Sequence, residues 1–244
     1  MDLLRKIFRI PLLLLWFIGS SLYCRLVSRG PQASRRSLAL TQLWAQWSAW
    51  ILNLKIQVKG DPDFQGGLIA ANHQGVLDIL VLAAVFKIRF APKSEMRKWP
   101  IFGFLAQCNQ PVWIDRSTPR KARETAEIMS RTMQNGQNMM VFPEGTTSDG
   151  KPGLLPFKST AFQAAIDAGS PVLPVIISYA PEVRSYVQWC DGRNFLFHIW
   201  GLLGLKETGA AVYIMDNVST EKYKDRKELT AEVYDIMDGK WRTL

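Results

Sequence analysis

The chain has 244 residues and a mass of 27.7 kDa, room for one well-buried domain and too little for two of ordinary size. A 48% hydrophobic share with 21% charged residues excludes disordered, collagen-like and low-complexity classes. Of the net charge of +9, two thirds belongs to residues 1–50, where Arg5, Lys6, Arg9, Arg25, Arg29, Arg35 and Arg36 face Asp2 alone.

In chain order, residues 10–24 come first, a run without formal charge that includes Leu12, Leu13, Leu14, Leu15, Trp16, Phe17 and Ile18. It is shorter than the ~20 residues that span a bilayer upright. Ser21, Leu22 and Tyr23 offer no small-x-small cleavage site and no lipobox before Cys24, so a cleaved signal peptide is not expected. Across an Arg29-Gly30-Pro31 turn, residues 38–54 form a second uncharged stretch. On a helix Leu43, Trp47, Trp50, Ile51 and Leu54 share a stripe while Gln42, Gln46 and Asn53 line another face. The tryptophans at 44, 47 and 50, together with flanking arginines, fit a lipid headgroup boundary better than a nucleic-acid surface. The expectation is a membrane-anchoring two-helix hairpin over residues 1–54, dipped into one leaflet, with no nucleic-acid partner.

From residue 55 onward β-rich runs alternate with helical patterns. Candidate strands cover 55–59, 67–71, 88–91, 111–114, 138–142, 172–179 and 210–215; candidate helices cover 76–86, 118–134, 158–168 and 220–238. Thr118-Pro119 and Thr220-Glu221 are the expected starts of the second and fourth helices. The expected body, 55–244, is a single α/β domain with a mixed, largely parallel sheet flanked by helices. Cys24, Cys108 and Cys190 lie more than 80 residues apart, which gives neither a disulfide framework nor a CxxC metal site and suits a reducing compartment.

Chemistry concentrates where strands end. His73, one of only two histidines, follows an apolar strand in Ala70-Ala71-Asn72-His73-Gln74-Gly75-Val76-Leu77-Asp78. If Gly75 turns the chain, Asp78 can accept from one ring nitrogen and leave the other as a base; otherwise His73 caps the next helix. Phe142-Pro143-Glu144-Gly145-Thr146-Thr147-Ser148-Asp149-Gly150 ends another strand, and its backbone N–H groups can cradle an anion while Glu144 binds a hydroxyl or holds the turn closed. Lys93, Arg97, Lys98 and Arg116 form a basic patch, in which Lys93 and Arg116 end strands on the side of His73 and can neutralise a phosphate.

The order Asn72-His73-x4-Asp78, then Ile114-Asp115-Arg116, then Phe142-Pro143-Glu144-Gly145-Thr146, then Val172-Leu173-Pro174-Val175 resembles the four blocks of the glycerolipid acyltransferase family, which includes bacterial 1-acylglycerol-3-phosphate acyltransferases. The resemblance spans about residues 55–180. It implies acyl transfer from acyl-CoA or acyl-carrier protein to a lysolipid hydroxyl, with no further cofactor, no metal and no covalent acyl-enzyme. His73 would be the general base and Asp78 its orienter; Asn72, Lys93, Arg116, Glu144, Gly145, Thr146 and Thr147 would bind substrate. Membrane lipids and the cytoplasmic face of a bacterial inner membrane are the implied surroundings.

Two departures bear on the acceptor. Where the family usually reads Gly-Thr-Arg-Ser this chain has Thr147, and where Phe-Lys-x-Gly often follows it has Phe157-Lys158-Ser159-Thr160. The lost cation weakens the case for a phosphate unless Arg116, Lys93 or Lys158 replaces it. Lysophosphatidate is the first expectation and another lysolipid, such as lyso-ornithine lipid, the second. A membrane-anchored lipid-binding protein without catalysis is the remote alternative.

Overall fold

In the computed structural model, which describes residues 2–27, 33–99, 103, 110–115, 117–190, 192 and 194–244, two helices precede an α/β body. They are α1 (Asp2–Val27) and α2 (Ala33–Leu52), and they run antiparallel: Arg9 bonds carbonyls at the end of α2, while Trp16 Nε1 donates to Trp44 O and its ring meets Trp47. The body continues β1 (Leu54–Lys59), β2 (Leu68–Ala71), α3 (Leu77–Val85), β3 (Ile88–Phe90), a 3₁₀ turn (Ser94–Lys98), α4 (Pro119–Gln134), β4 (Asn138–Val141), α5 (Thr160–Ala168), β5 (Val172–Tyr179), α6 (Pro181–Val187), α7 (Phe195–Gly204), β6 (Thr208–Ile214) and α8 (Arg226–Trp241). The expected turn at Arg29-Gly30-Pro31 and the side chain of Arg116 lie outside the described residues.

The sheet has the order β1-β6-β5-β2-β4-β3, and only β5 and β6 pair antiparallel. It is the expected mixed, largely parallel sheet. Strands buried on both faces read as unbroken apolar runs rather than alternations, as in β5, whose Leu173, Val175 and Ile177 face one core and Val172 and Ile176 the other. The first core receives Ala45 and Ala49 of α2, Leu80 and Val81 of α3 and Leu202 of α7. The second receives Met129 and Met133 of α4, Phe162 of α5 and Leu229, Val233 and Met237 of α8.

Two expected elements differ. Residues 111–114 form no strand: Val112 and Ile114 donate to Phe90 O and Pro92 O, but Pro92 has no N–H to return, so the ladder stops at a single Lys93–Ile114 bridge. The last helix begins at Arg226 rather than Thr220, because Asp225 supplies the cap by accepting from Lys227 N at 2.9 Å. Thr118 caps α4 as expected, accepting from Lys121 N.

Three of the seven N-terminal cations are engaged within the protein. Arg9 is buried, and its guanidinium donates to Ile51 O and Leu52 O at the end of α2 and to Leu203 O and Leu205 O at the end of α7. Arg5 donates to Gly204 O at 2.7 Å, and Lys6 pairs with Asp2 at 2.8 Å beneath the Trp200 ring. The last carbonyls of a helix have no intrahelical partner and carry partial negative charge. Arg5 and Arg9 are therefore taken up by two helix ends, and Lys6 by the Asp2 carboxylate.

In α2 the small residues Ala45, Ser48 and Ala49 turn inward, and Gln42 and Gln46 donate to the Val85 and Ala84 carbonyls that close α3. Of the expected apolar stripe, Leu43, Trp47 and Trp50 face outward, Trp50 being 72% exposed, whereas Ile51 is half-buried and Leu54 is a buried residue of β1 because the helix ends at Leu52. Among the described residues no helix is long and apolar enough to cross a membrane.

Arg9→Ala removes the fork that fixes α1. A charge-assisted hydrogen bond contributes ~1.5–3 kcal/mol, so tryptic cleavage at Arg5 and Lys6 is expected to accelerate about 10-fold or more in detergent. An unchanged cleavage rate would show that α1 is held by its apolar contacts alone.

Candidate active site

β2 lies between β4 and β5, and the chain bends sharply as it leaves the sheet. Asn72 takes over the ladder at the bend: its Nδ2 donates to Ile177 O at 3.0 Å and its Oδ1 accepts from Ile177 N at 2.7 Å. That buried amide bonds β5 through both its oxygen and its nitrogen, so Asn72 positions the bend.

The bend delivers His73 to Asp78, in the first turn of α3. Nδ1 of His73 lies 2.8 Å from Asp78 Oδ2, which also accepts from Gln74 N at 2.5 Å and Gly75 N at 2.9 Å. Its other oxygen accepts from Tyr179 OH at 2.7 Å. Four donors fill the acceptor capacity of this fully buried carboxyl group, and two of them are backbone N–H groups that can only donate. Burial, then the neighbouring Asp78 charge, pushes the Tyr179 phenol well above its usual range and keeps it a donor. With Asp78 accepting, the proton of this bond is assigned to Nδ1, and Nε2 is the ring nitrogen directed away from the carboxyl group. The His73 side chain is 18% exposed, and among the described residues none bonds Nε2.

Gly75 permits the bend by its size and not by a left-handed backbone. A Cβ there would lie 2.0 Å from Val187 O. Segment 187–189 follows α6 and joins two loops: Trp189 N donates to Gln74 O, Gln188 Nε2 donates to Asp149 O, and Trp189 O accepts from the Thr147 hydroxyl.

The second loop leaves β4, parallel to β2 and adjacent to it. Phe142 stacks on the His73 ring at 3.8 Å between centroids and 7° between planes. Glu144 ties the loops together: Oε1 accepts from His73 N at 2.9 Å, and Oε2 accepts from the Ser148 hydroxyl at 2.9 Å and Leu155 N at 3.0 Å. Ser148 N returns a bond to His73 O. Glu144 is thus a buried latch that holds the turn closed, one of the two roles open to it in the sequence. Burial raises its pKa against the lowering effect of those three donors, so the carboxyl's contribution to stability is largest at low pH and declines as pH rises through the raised value.

Gly145 turns with φ 75°, and the end of the Lys158 side chain lies where its Cβ would project. Thr146 is exposed on this turn. Thr147 is tied to Trp189, so its hydroxyl is directed back into the protein. Lys93 is exposed just beyond β3, two strands from β2, about 10 Å across the same carboxyl edge at ~4.8 Å per strand. Arg116 lies outside the described residues. The structure therefore gathers His73, Asp78, Glu144, Gly145, Thr146 and Lys158 around two adjacent loop ends, with Lys93 farther along the edge. Among the described residues no cluster of three or more His, Cys, Asp or Glu side chains is arranged to hold a metal ion.

An oriented imidazole with a free Nε2, at the carboxyl edge of parallel strands, can take a proton from a hydroxyl. Tyr179, Phe142 and segment 187–189 were not singled out in the sequence. The only local signal for Tyr179 was that β5 ends on a residue with a polar tip.

Comparison with known proteins follows the same residues. The family model described as Acyltransferase matches residues 55–178. The lyso-ornithine lipid O-acyltransferase of Rhodobacter capsulatus is 34% identical over 218 residues, covering 85% of this chain and 78% of that protein. The 1-acyl-sn-glycerol-3-phosphate acyltransferase of Neisseria gonorrhoeae is 34% identical over 174 residues, covering 71% and 68%. Among solved structures, the 1-acyl-sn-glycerophosphate acyltransferase PlsC of Thermotoga maritima shares the fold, with a TM-score of 0.71 at 20% identity over 100% of this chain and 97% of that one.

Glu144→Gln places an amide NH2 against a backbone N–H. Leaving a buried donor unpaired costs ~1–3 kcal/mol, and urea unfolding at neutral pH should record a loss of that size. Wild-type stability in this variant would mean that the latch contributes nothing. Gly75→Ala should be more damaging, since the colliding atom is a backbone carbonyl, and a soluble, fully active Gly75→Ala protein would contradict the close approach.

Proposed function

The chain belongs to the acyltransferase family, and on that premise we propose that it transfers an acyl group from an acyl thioester, acyl-CoA or acyl-carrier protein, to the free hydroxyl of a lysolipid. The observation that carries this reading is the His73–Asp78 pair with Nε2 left open. Nε2 removes the hydroxyl proton as the oxygen attacks the thioester carbonyl. The C–O bond forms, the tetrahedral intermediate collapses by breaking C–S, and the proton passes from His73 to the departing thiolate. Asp78 holds the tautomer and balances the transient imidazolium. The hydroxyl attacks directly, so the scheme uses no serine or cysteine nucleophile.

His73→Ala should lower turnover by roughly 10²–10⁴ with little change in folding. Thiol release from acyl-CoA, followed with and without lysolipid, measures it. Full activity in the alanine variant would remove the general base from the scheme.

For the acceptor, lysophosphatidate is the first reading: exposed Lys93 and Lys158 at the carboxyl edge suit a phosphate. Thr147 favours the second reading, lyso-ornithine lipid, whose headgroup lacks a phosphate; no cation stands at this step, and its hydroxyl is engaged with Trp189. If a phosphate is bound, Lys93→Ala or Lys158→Ala should raise the lysophosphatidate KM about 10- to 150-fold while leaving the thioester KM nearly unchanged. Faster wild-type turnover of lyso-ornithine lipid, with no KM effect from either lysine on lysophosphatidate, would establish the second acceptor.

The outward apolar residues of α1 and α2 support a monotopic anchor, and the use of acyl thioesters supports the cytoplasmic side of the inner membrane, where those donors occur. Exposed Leu12, Leu14, Leu15 and Ile18 continue along α1 from the α2 tryptophans. The double substitution Trp47→Ser, Trp50→Ser should cut co-sedimentation with phosphatidylglycerol-containing vesicles severalfold. Undiminished sedimentation would locate the anchor elsewhere.

A further inference from the structure

Helix α7, Phe-Leu-Phe-His-Ile-Trp-Gly-Leu-Leu-Gly, contains no acidic or basic residue among Lys, Arg, Asp and Glu. Its Leu196, Phe197 and Trp200 are 72%, 76% and 46% exposed. Residues at i, i+1 and i+4 share one side of a helix, so these three make an apolar face, while Leu202 and His198 point into the protein. An isolated exposed leucine is ordinary; three adjacent large apolar side chains on one short helix are not.

What lies alongside identifies the occupant. α7 is fastened to α1 by Arg5 to Gly204 O and Arg9 to Leu203 O and Leu205 O, with the Lys6 ammonium 4.7 Å from the Trp200 ring centroid. Gly204 leaves no room for a side chain against Asp2. The outer face of α1 at this junction is itself apolar, with Leu3, Leu4, Ile7 and Phe8 exposed. At its other end α7 begins with Phe195, which packs edge-on to Trp189 at 5.1 Å and to Trp99 at 5.9 Å. Trp99 is partly exposed and follows exposed Arg97 and Lys98. Trp189 is bonded to both the His73 loop and the Thr147 loop. An apolar face with tryptophans at its margin and cations beside them matches the boundary between acyl chains and phosphates.

We propose that α7 is a second membrane contact, inserted into the same leaflet as α1 and α2, which turns the carboxyl edge of the sheet toward the bilayer so that a lysolipid reaches His73 without leaving the surface. The proposal rests on the anchoring role assigned to α1 and α2. Those helices supply attachment, whereas α7, nearer the site, sets orientation. Its loss should therefore affect catalysis on membrane-borne acceptor more than attachment itself.

The test compares full-length wild type, Leu196→Ser/Phe197→Ser and Trp47→Ser/Trp50→Ser, using vesicles of phosphatidylethanolamine and phosphatidylglycerol. Each protein is assayed for co-sedimentation and for turnover of long-chain lysophosphatidate in those vesicles and short-chain lysophosphatidate free in solution. For the α7 variant, turnover in vesicles should fall on the order of 10-fold, as expected when an apolar side chain loses its buried environment, while turnover of the soluble acceptor stays unchanged. Phe197→Leu should retain most of the vesicle activity. Equal vesicle turnover in wild type and the α7 variant overturns the proposal, as does an equal loss on both acceptors, which would mean damage to the fold. If the α2 variant loses sedimentation while the α7 variant matches wild type throughout, only the α7 role fails. If neither variant changes sedimentation or vesicle turnover, the anchoring reading fails with it.

Discussion

The candidate site depends on one carboxylate. Asp78 accepts from the His73 ring, from the N–H groups of Gln74 and Gly75 and from the Tyr179 hydroxyl, and so binds the end of β2, the start of α3 and the end of β5 into one unit. A buried charge of this kind is tolerated only when its acceptor capacity is met. Each donor therefore constrains the others: moving the His73 loop would strand a carboxylate oxygen, and moving β5 would strand Tyr179. Glu144 repeats the device one strand away, holding the His73 backbone to the loop after β4. Orientation of the imidazole is thus a property of the strand ends as well as of the side chain.

A second constraint runs through the basic N-terminus. Arg5 and Arg9, two of the seven N-terminal cations, neutralise the carbonyl ends of α2 and α7 and so join α1 to the body. On α2 the small residues Ala45, Ser48 and Ala49 face the protein with Leu38 and Trp44, while Leu43, Trp47 and Trp50 face out. If these apolar faces insert as proposed, salt-sensitive contact would come from cations that remain exposed among the described residues, such as Arg36, Arg97, Lys98 and Lys206.

Much of this was legible in the sequence because the signals are local. Apolar runs at 67–71, 138–142 and 172–179 marked buried strands, and Asn72-His73-x4-Asp78 put an imidazole and a carboxyl group within pairing reach if the chain turned between them. What was not legible is carried by contacts distant in sequence. Tyr179 lies 101 residues from Asp78 and Arg9 nearly 200 from Leu203, and neither separation leaves a periodicity to read. Segment 187–189 acts largely through backbone groups that any residue supplies, with the Gln188 amide adding one side-chain bond. Gly75 was noticed as a possible turn former, yet the carbonyl of Val187 explains it. The expected strand at 111–114 failed for a nonlocal reason too: its partner contains Pro92.

The central claim is that Asp78 keeps the His73 proton on Nδ1 and leaves Nε2 as the base. Only two histidines are present, so 15N NMR of histidine-labelled protein at neutral pH can read the tautomer directly, the His73 signals being those that vanish in His73→Gln. The account requires a protonated Nδ1 and an unprotonated Nε2 in wild type, with that preference lost in Asp78→Asn. A wild-type His73 protonated at Nε2 alone would contradict it.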